Sequence, residues 1–551
     1  MAMKRFSFVG IAAFSIAALT LASCGGPDSS DVSEGFDLPV IDTESFTTYV
    51  KTLSGDDFLG RKPFTKGDTL TVNYIADEFQ KIGLEPGNGD SYFQEVPMVE
   101  ITSAPGSSLV FNKGGKELRL GYLDDYVIGS PRTDAQINIS ETALVFAGFG
   151  IVAPEYQWDD YAGLDANGKT VVVMVGDPGF YDDGLFKGDT MTYYGRWTYK
   201  FEEAARQGAT GVLIIHDTDA ASYGWNVVRT GWTGPQLALE TPDGASLPAA
   251  FEGWITTEAA DRLFELAGHT DLIARAKKPG FKPVPIDVTT GVSIANDVRK
   301  STSNNVLGKV SGSKYPDEYL IYTAHWDHLG VGEPVDGDSI YNGAIDNASG
   351  IAALFELAKA FKSLETPPER SILFLAVTAE EQGLLGSAYY ASHPVYPLGK
   401  TVANINIDAL SPIGRTSDIA VIGLGHSDMD DYVMQAAERQ GRTVVAGGNP
   451  SAGSFFRSDH FNFAKVGVPA LYTGSGSNVT GKDSAEVAHL RDAFAKRYHH
   501  VSDEYDETWD ASGMIEDIQI VFAVGYTLSR ERTFPKWKTG SEFKAVGEER
   551  F

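Results

Sequence analysis

The sequence has a single cysteine in 551 residues, Cys24. No disulfide framework can therefore support the fold, and cysteine-ligated zinc and thiol catalysis are closed to its globular part. It contains neither Gly-x-Ser-x-Gly nor His-Glu-x-x-His, the signatures of a nucleophile-elbow hydrolase and of a single-zinc protease helix. Beyond one run near the start, no stretch approaches the ~18 apolar residues that a spanning helix needs. Positive charge is scarce: 45 Lys and Arg stand against 74 Asp and Glu, a formal charge of −29. That balance repels nucleic acid and anionic headgroups, and is read as a well-solvated surface. Internal repeats are absent, and low complexity is confined to one short tether.

What is present describes an ordinary globular chain, 42% hydrophobic and 22% charged with 59 glycines, long enough for two or more packed units. At the start, Lys4 and Arg5 precede an apolar run from Phe6 to Ala22, the order of a secretory signal. The run closes on Leu21-Ala22-Ser23-Cys24, which resembles the lipobox of bacterial lipoproteins. That resemblance implies loss of residues 1–23, a lipid on Cys24, and a membrane-anchored protein facing the periplasm. Residues 24–40 then read as a flexible tether.

From 41 to 87 the spacing predicts helix, with Val72, Ile75, Phe79 and Ile82 near one face and Gly83 as a stop. A middle segment follows with short β-rich runs at 142–152, 169–177 and 208–217 and a helix over 197–207. It carries no cluster of metal-ligand types. From about 284 the texture becomes alternating strand and helix, with strands at 319–324, 372–377, 402–407, 419–422 and 468–472. Continuous apolar strands separated by helices predict an α/β fold with a mixed, mostly parallel sheet sandwiched by helices.

Each of three strands ends in chemistry. The first runs into His325-Trp-Asp327, the second into Glu380-Glu381, the third into Asp408. In open α/β sheets ligands bind outside the carboxyl ends of the strands, so these groups converge in one crevice. Asp346 sits in the loop NGAIDNASG before a helix, and Tyr498-His499-His500 comes late in the chain. Asp346, Glu381 and Asp408 in one dry crevice would repel one another unless cations neutralise them. Two Zn²⁺ balance three carboxylates and one hydroxide, and imidazole with carboxylate is a ligand set suited to catalytic zinc. The chemistry implied is hydrolysis.

TAHWDHLG (323–330), NGAIDNASG (342–350), AVTAEEQGLLGS (376–387), NINIDAL (404–410), RSDHFNFAKVGVPAL (457–471) and YHHVSDEYD (498–506) together resemble the co-catalytic di-zinc aminopeptidases. That family also includes glutamate carboxypeptidase and the transferrin-receptor ectodomain. The resemblance covers about 284–529, extends to the helical stretch at 41–87, and implies two zinc ions per chain. On it, His325, Asp346 and Asp408 hold one zinc, while Asp346, Glu381 and His499 hold the other, with Asp346 as the bridge. Asp327 supports the His325 ring, Glu380 is the general base, and the Asp346–Asn347 peptide is cis. His499 rather than His500 is selected by its spacing to Asp503, and His328 is read as supporting or structural. Relatives often place an oxyanion tyrosine where Phe455 stands here, which leaves Arg457 and His460 as candidate substrate or oxyanion contacts.

The middle segment, with YYGRWTYKFEEAARQGATGVLIIHD (193–217), resembles a protease-associated domain. The implied organisation is 41–135 for the N-terminal part of the catalytic domain, 136–284 for this β-rich α+β insert, and 285–551 for the di-zinc peptidase domain. The function expected is an aminopeptidase acting on peptides. The alternatives are a metallo-carboxypeptidase or dipeptidase, with Arg457 on a substrate carboxylate, and a catalytically inactive receptor-like binding protein.

Overall fold

The apolar runs that end in polar chemistry are all strands, and their inner positions are buried on both faces. They belong to a computed structural model that describes residues 39–241 and 247–551. The signal at 1–23, Cys24 and the tether up to residue 38 lie outside the described residues.

Two helices open the described residues, α1 (Thr43–Leu53) and α2 (Lys66–Ile82). Asp42 caps α1 by accepting the Glu44 and Ser45 N–H groups, and Gly83, at φ 85°, closes α2 in the left-handed conformation that favours glycine. The predicted face of α2 is buried at Val72, Ile75 and Phe79. The expected continuous helical pattern is broken between the two helices, where Leu59, Gly60 and Arg61 all have positive φ.

The sheet then builds through β1 (Phe93–Pro105), β2 (Gln136–Phe146), β3 (Thr170–Met174), helix α3 (Trp197–Arg206), β4 (Gly211–His216) and β5 (Phe251–Thr256). Strands β2 to β5 pair in parallel in that order. Next comes β6 (Val284–Val310), 27 residues long. It pairs antiparallel with β2 near its start, with β1 along its second half, and at its end with the second half of the sheet. Position 284 is therefore the first residue of a strand that serves both halves, and residues 39–551 form one compact unit.

The second half contains β7 (Tyr315–His325), α4 (Ser349–Lys362), β8 (Arg370–Val377), α5 (Leu385–Ser392), β9 (Thr401–Asn406), β10 (Asp418–Val421), β11 (Thr443–Ala446), α6 (His460–Lys465), β12 (Ala470–Ser475) and α7 (Ser512–Arg530). Strands β8, β7, β9 and β12 lie side by side and parallel, with β6 antiparallel on β8 and β10 antiparallel on β12. The sheet is thus mixed, with parallel strands at its centre. Side chains alternate between two helical layers. Ile321 packs with Tyr390 of α5 and Phe463 of α6, whereas the Tyr322 hydroxyl donates to the Val521 carbonyl of α7 at 2.8 Å.

Helix α4 reads as amphipathic, yet is buried almost all round because α1, α2 and α7 pack on it as well as the sheet. Phe355, fully buried, meets the rings of Tyr49, Phe79 and Tyr74 at 4.8, 5.6 and 6.3 Å. It fastens the N-terminal helices to the second half of the chain. Phe355→Ala should destabilise the protein by about 3–5 kcal/mol through cavity formation, read from the shift in a chemical denaturation midpoint.

Candidate metal centre

Parallel neighbours place their carboxyl ends on one edge, and that edge collects the charged groups. His325 is the last residue of β7, Glu380 and Glu381 follow β8 by three and four positions, and Asp408 follows β9 by two. Asp346 arrives in the loop that feeds α4, and His499 comes from the segment ahead of α7.

Asp346 lies between two imidazoles. Its Oδ1 is 3.1 Å from His325 Nε2, and its Oδ2 is 3.3 Å from His499 Nε2. His325 Nε2 is also 3.3 Å from Asp408 Oδ1, and His499 Nε2 is 2.8 Å from Glu381 Oε2. The chain thus brings together His325, Asp346, Glu380, Glu381, Asp408 and His499. Ligand atoms of His325, Glu380 and Asp408 cluster within 4.8 Å of one another, as do those of His328, Asp346 and Glu381. His328, read above as a supporting residue, has its Nδ1 2.6 Å from Glu381 Oε1, inside the second of these clusters. His500 turns away and contacts Ser502.

The electrostatics show what the cluster requires. Burial raises the Glu380 carboxyl well above its ordinary range; His325 opposes this, while Asp408, Asp459 and Glu381 add to it. Burial also pushes Asp327 and Asp459 up to about 7. Against their own burial, His325 is driven far above its usual value by Glu380 and Asp408, and His499 up to about 10 by Asp346 and Glu381. Asp346 is held low by the same two histidines. The crevice draws positive charge onto its imidazoles, and divalent cations meet that demand with greater charge density than protons. The donor geometry fits: His499 Nε2 is buried and close to two carboxylate oxygens, yet makes no well-formed hydrogen bond. Imidazole nitrogens and carboxylate oxygens converging in this way form a donor set that a zinc ion takes up.

Several groups that hold this arrangement were not singled out from the sequence. Arg61, 1% exposed, donates to the carbonyls of Trp326, Leu53, Asn342 and Gly343 at 2.6–2.9 Å, tying the His325 and Asp346 loops together from behind. Asp503, which served above only as a spacing mark, accepts the Ile345 and Asp346 N–H groups at 3.0 and 3.1 Å. Asn347 donates to the Ile407 carbonyl at 3.1 Å and accepts from Gly350 and Ala409 at 2.9 and 3.2 Å, pinning the loop to the Asp408 segment. The Asp346–Asn347 peptide is cis. Ser458 donates to Asp408 Oδ2 at 2.6 Å. At Gly343 (φ 56°) a Cβ would lie 2.2 Å from the Asp346 carbonyl oxygen and 2.6 Å from His328 Cγ, so only glycine fits.

Two expectations need correction. The Asp327 carboxylate does not take the His325 ring proton, because it lies 3.8 Å from Nδ1 while the Asp327 backbone carbonyl lies at 3.1 Å. The carboxylate instead accepts the Glu380 and Glu381 N–H groups at 3.0 and 3.3 Å, so it orients the catalytic loop. His460, expected as a substrate or oxyanion contact, presents no open surface to the crevice. It is fully buried between Phe455 and Tyr472, ring centroids at 4.6 and 4.9 Å, because α6 turns its first side chain inward. Arg457 is exposed and donates to the Ala452 carbonyl.

Residues 305–523 match the profile of Peptidase family M28. This segment belongs to that family. Aminopeptidase NAALADL1 of Mus musculus is 37% identical over 138 residues, 24% of this chain and 17% of its own. Aminopeptidase YwaD of Bacillus subtilis (strain 168) is 32% identical over 179 residues, 30% and 34% of the two chains. Carboxypeptidase Q of Xenopus laevis is 29% identical over 251 residues, 45% and 43%. The matched part spans less than half the length of each of these relatives. Among solved structures, an aminopeptidase from Aneurinibacillus sp. strain AM-1 superposes with a TM-score of 0.48 at 22% identity, covering 88% of this chain and 93% of its own. The M28 segment contains every residue of the cluster and omits Arg61.

If Asp503 positions the ligand loop, Asp503→Ala should leave two buried N–H groups unpaired and weaken zinc binding by about 10–100-fold, measured by competition with a chromophoric chelator.

Proposed function

We propose that the protein is a zinc-dependent exopeptidase, an aminopeptidase that removes N-terminal residues from peptides. The observation that carries this reading is the single carboxylate of Asp346 facing one histidine with each oxygen, with Glu380 beside the pair. The residues present suit two zinc ions, one among His325, Asp346 and Asp408, the other among Asp346, Glu381 and His499, with His328 in reach of the second. Bound there, zinc supplies a polarised scissile carbonyl and a more acidic water.

The chain's own groups do the rest. Glu380 sits among Asp408, Asp459 and Glu381, which together with burial make it a strong proton acceptor. It takes the proton of the attacking water and delivers it to the departing amine. Asp327, through the Glu380 N–H, fixes the direction from which that carboxylate works. Surrounding carboxylates suit the free α-ammonium group of an aminopeptidase substrate.

The lipobox-like end supports reading the protein as membrane-anchored through a lipid on Cys24 and facing the periplasm, and residues 136–284 are read as a protease-associated domain. The N-terminal arrangement supporting the first is Lys4 and Arg5, the apolar run, and the one cysteine in register.

Glu380→Gln should retain the bound zinc, counted by metal analysis, while kcat on aminoacyl substrates falls by at least ~10²-fold; unchanged turnover would remove Glu380 as the base. Cys24→Ser should move the protein from the membrane to the soluble fraction of its host and remove the acyl mass from the mature N-terminus.

A further inference from the structure

The turn at 56–61 precedes the segment that matches the peptidase family, yet it is built into the back of the metal centre. Leu59, Gly60 and Arg61 have φ of 52°, 62° and 50°, so the chain doubles back sharply after α1. That reversal presses it against the short hairpin at 330–341. A Cβ on Gly60 would lie 2.5 and 2.6 Å from the carbonyl oxygens of Tyr341 and Gly330, and Asp56 accepts from the Asn342 side-chain amide at 2.9 Å.

Arg61 ends this turn, and every acceptor of its guanidinium is a backbone carbonyl. Its Nε donates to Trp326 at 2.9 Å, one terminal nitrogen to Leu53 and Asn342 at 2.7 and 2.6 Å, and the other to Gly343 at 2.8 Å. Burying a cation is costly unless its donors are matched, and four charge-assisted hydrogen bonds provide the match. The acceptors are not scattered. Trp326 lies between His325 and Asp327, the carboxylate that orients the Glu380 and Glu381 N–H groups. Asn342 and Gly343 lead into Asp346, and Leu53 ends α1. One planar group therefore sets the distance between the loop that carries His325 and the loop that carries Asp346, with α1 as its outside support. A lysine ammonium, a point charge on a flexible stem, has no such fork.

We propose that Arg61 is a positioning residue for zinc: it holds the His325 and Asp346 loops at the spacing the metal requires, so that zinc binding and the docking of the 56–61 turn stabilise each other. This rests on the zinc exopeptidase reading and places part of the zinc affinity outside the family-matched segment. The coupling is reciprocal, because whatever tightens zinc when the turn is docked must also tighten the turn when zinc is bound.

Two measurements on the full chain test this. In the wild-type protein, hydrogen exchange of the 53–61 amides is followed with zinc bound and after its removal by a chelator. Exchange there should slow with zinc, and equal rates in the two states overturn the coupling. The second measurement uses Arg61→Gly, which suits a φ of 50° and leaves the backbone unstrained while removing the fork, and Arg61→Lys, which keeps the charge alone. Zinc affinity, read by competition with a chromophoric chelator, should fall at least about tenfold in both. Unchanged affinity, or full affinity in the lysine variant, overturns the positioning role. A merely structural arginine would lower the denaturation midpoint equally with and without zinc, whereas here the gain that zinc confers should shrink; an undiminished gain also overturns the proposal. Should neither variant fold, hydrogen exchange in the wild type decides. Peptide hydrolysis by the wild-type zinc protein is scored separately. Zinc-dependent protection of the turn without any cleavage overturns the exopeptidase reading and leaves the clamp standing, and brisk zinc-dependent cleavage with no coupling does the reverse.

Discussion

The mutual repulsion of carboxylates brought to one edge of a sheet is the constraint on which this molecule depends. Asp346, Glu380, Glu381 and Asp408 meet in a crevice where water screens them poorly, and two imidazoles lie among them. Left alone, such a cluster would protonate or spread apart. That it stays assembled follows from the rigidity of what carries it: parallel strands anchor three of the four carboxylates within a few residues of their ends.

Rigidity at the fourth carboxylate has another origin. The Asp346 loop is held from three directions by groups that no local pattern requires: Asp503 under its N–H groups, Asn347 bridging to the Asp408 segment, and Arg61 on the carbonyls of Asn342 and Gly343. Arg61 also brings positive charge behind the site, where Asp503, Asp327, Asp346 and Glu381 offset the effect of its own burial. One guanidinium therefore shapes the backbone and tempers the field. Catalytic geometry here is a product of the second half of the chain fastened by a residue from the first.

The parts of this design that could be read in advance are those written in contiguous residues. Apolar runs ending in His325, Glu380-Glu381 and Asp408 announce both the strands and the edge they share, because strand burial and ligand chemistry are recorded side by side. Arg61 was hidden for the opposite reason. It lies 265 residues from the Trp326 carbonyl it serves, in a turn with positive φ that helical periodicity does not reveal. In Ser458-Asp459-His460 the local sequence does not say which side chain meets the ligands: Ser458 holds Asp408, while the turn into α6 sends the His460 imidazole inward. The helix α4 was under-read for a similar reason, since its polar-looking side is covered by α1 and α2.

The long strand β6 has a mechanical meaning. It leaves β2, runs the length of β1 and ends against β8 as one strand whose register shifts lie only near its β2 end. Both halves of the sheet are thus laced to a single backbone, and displacing one against the other has to bend that beam or unpick its ladder.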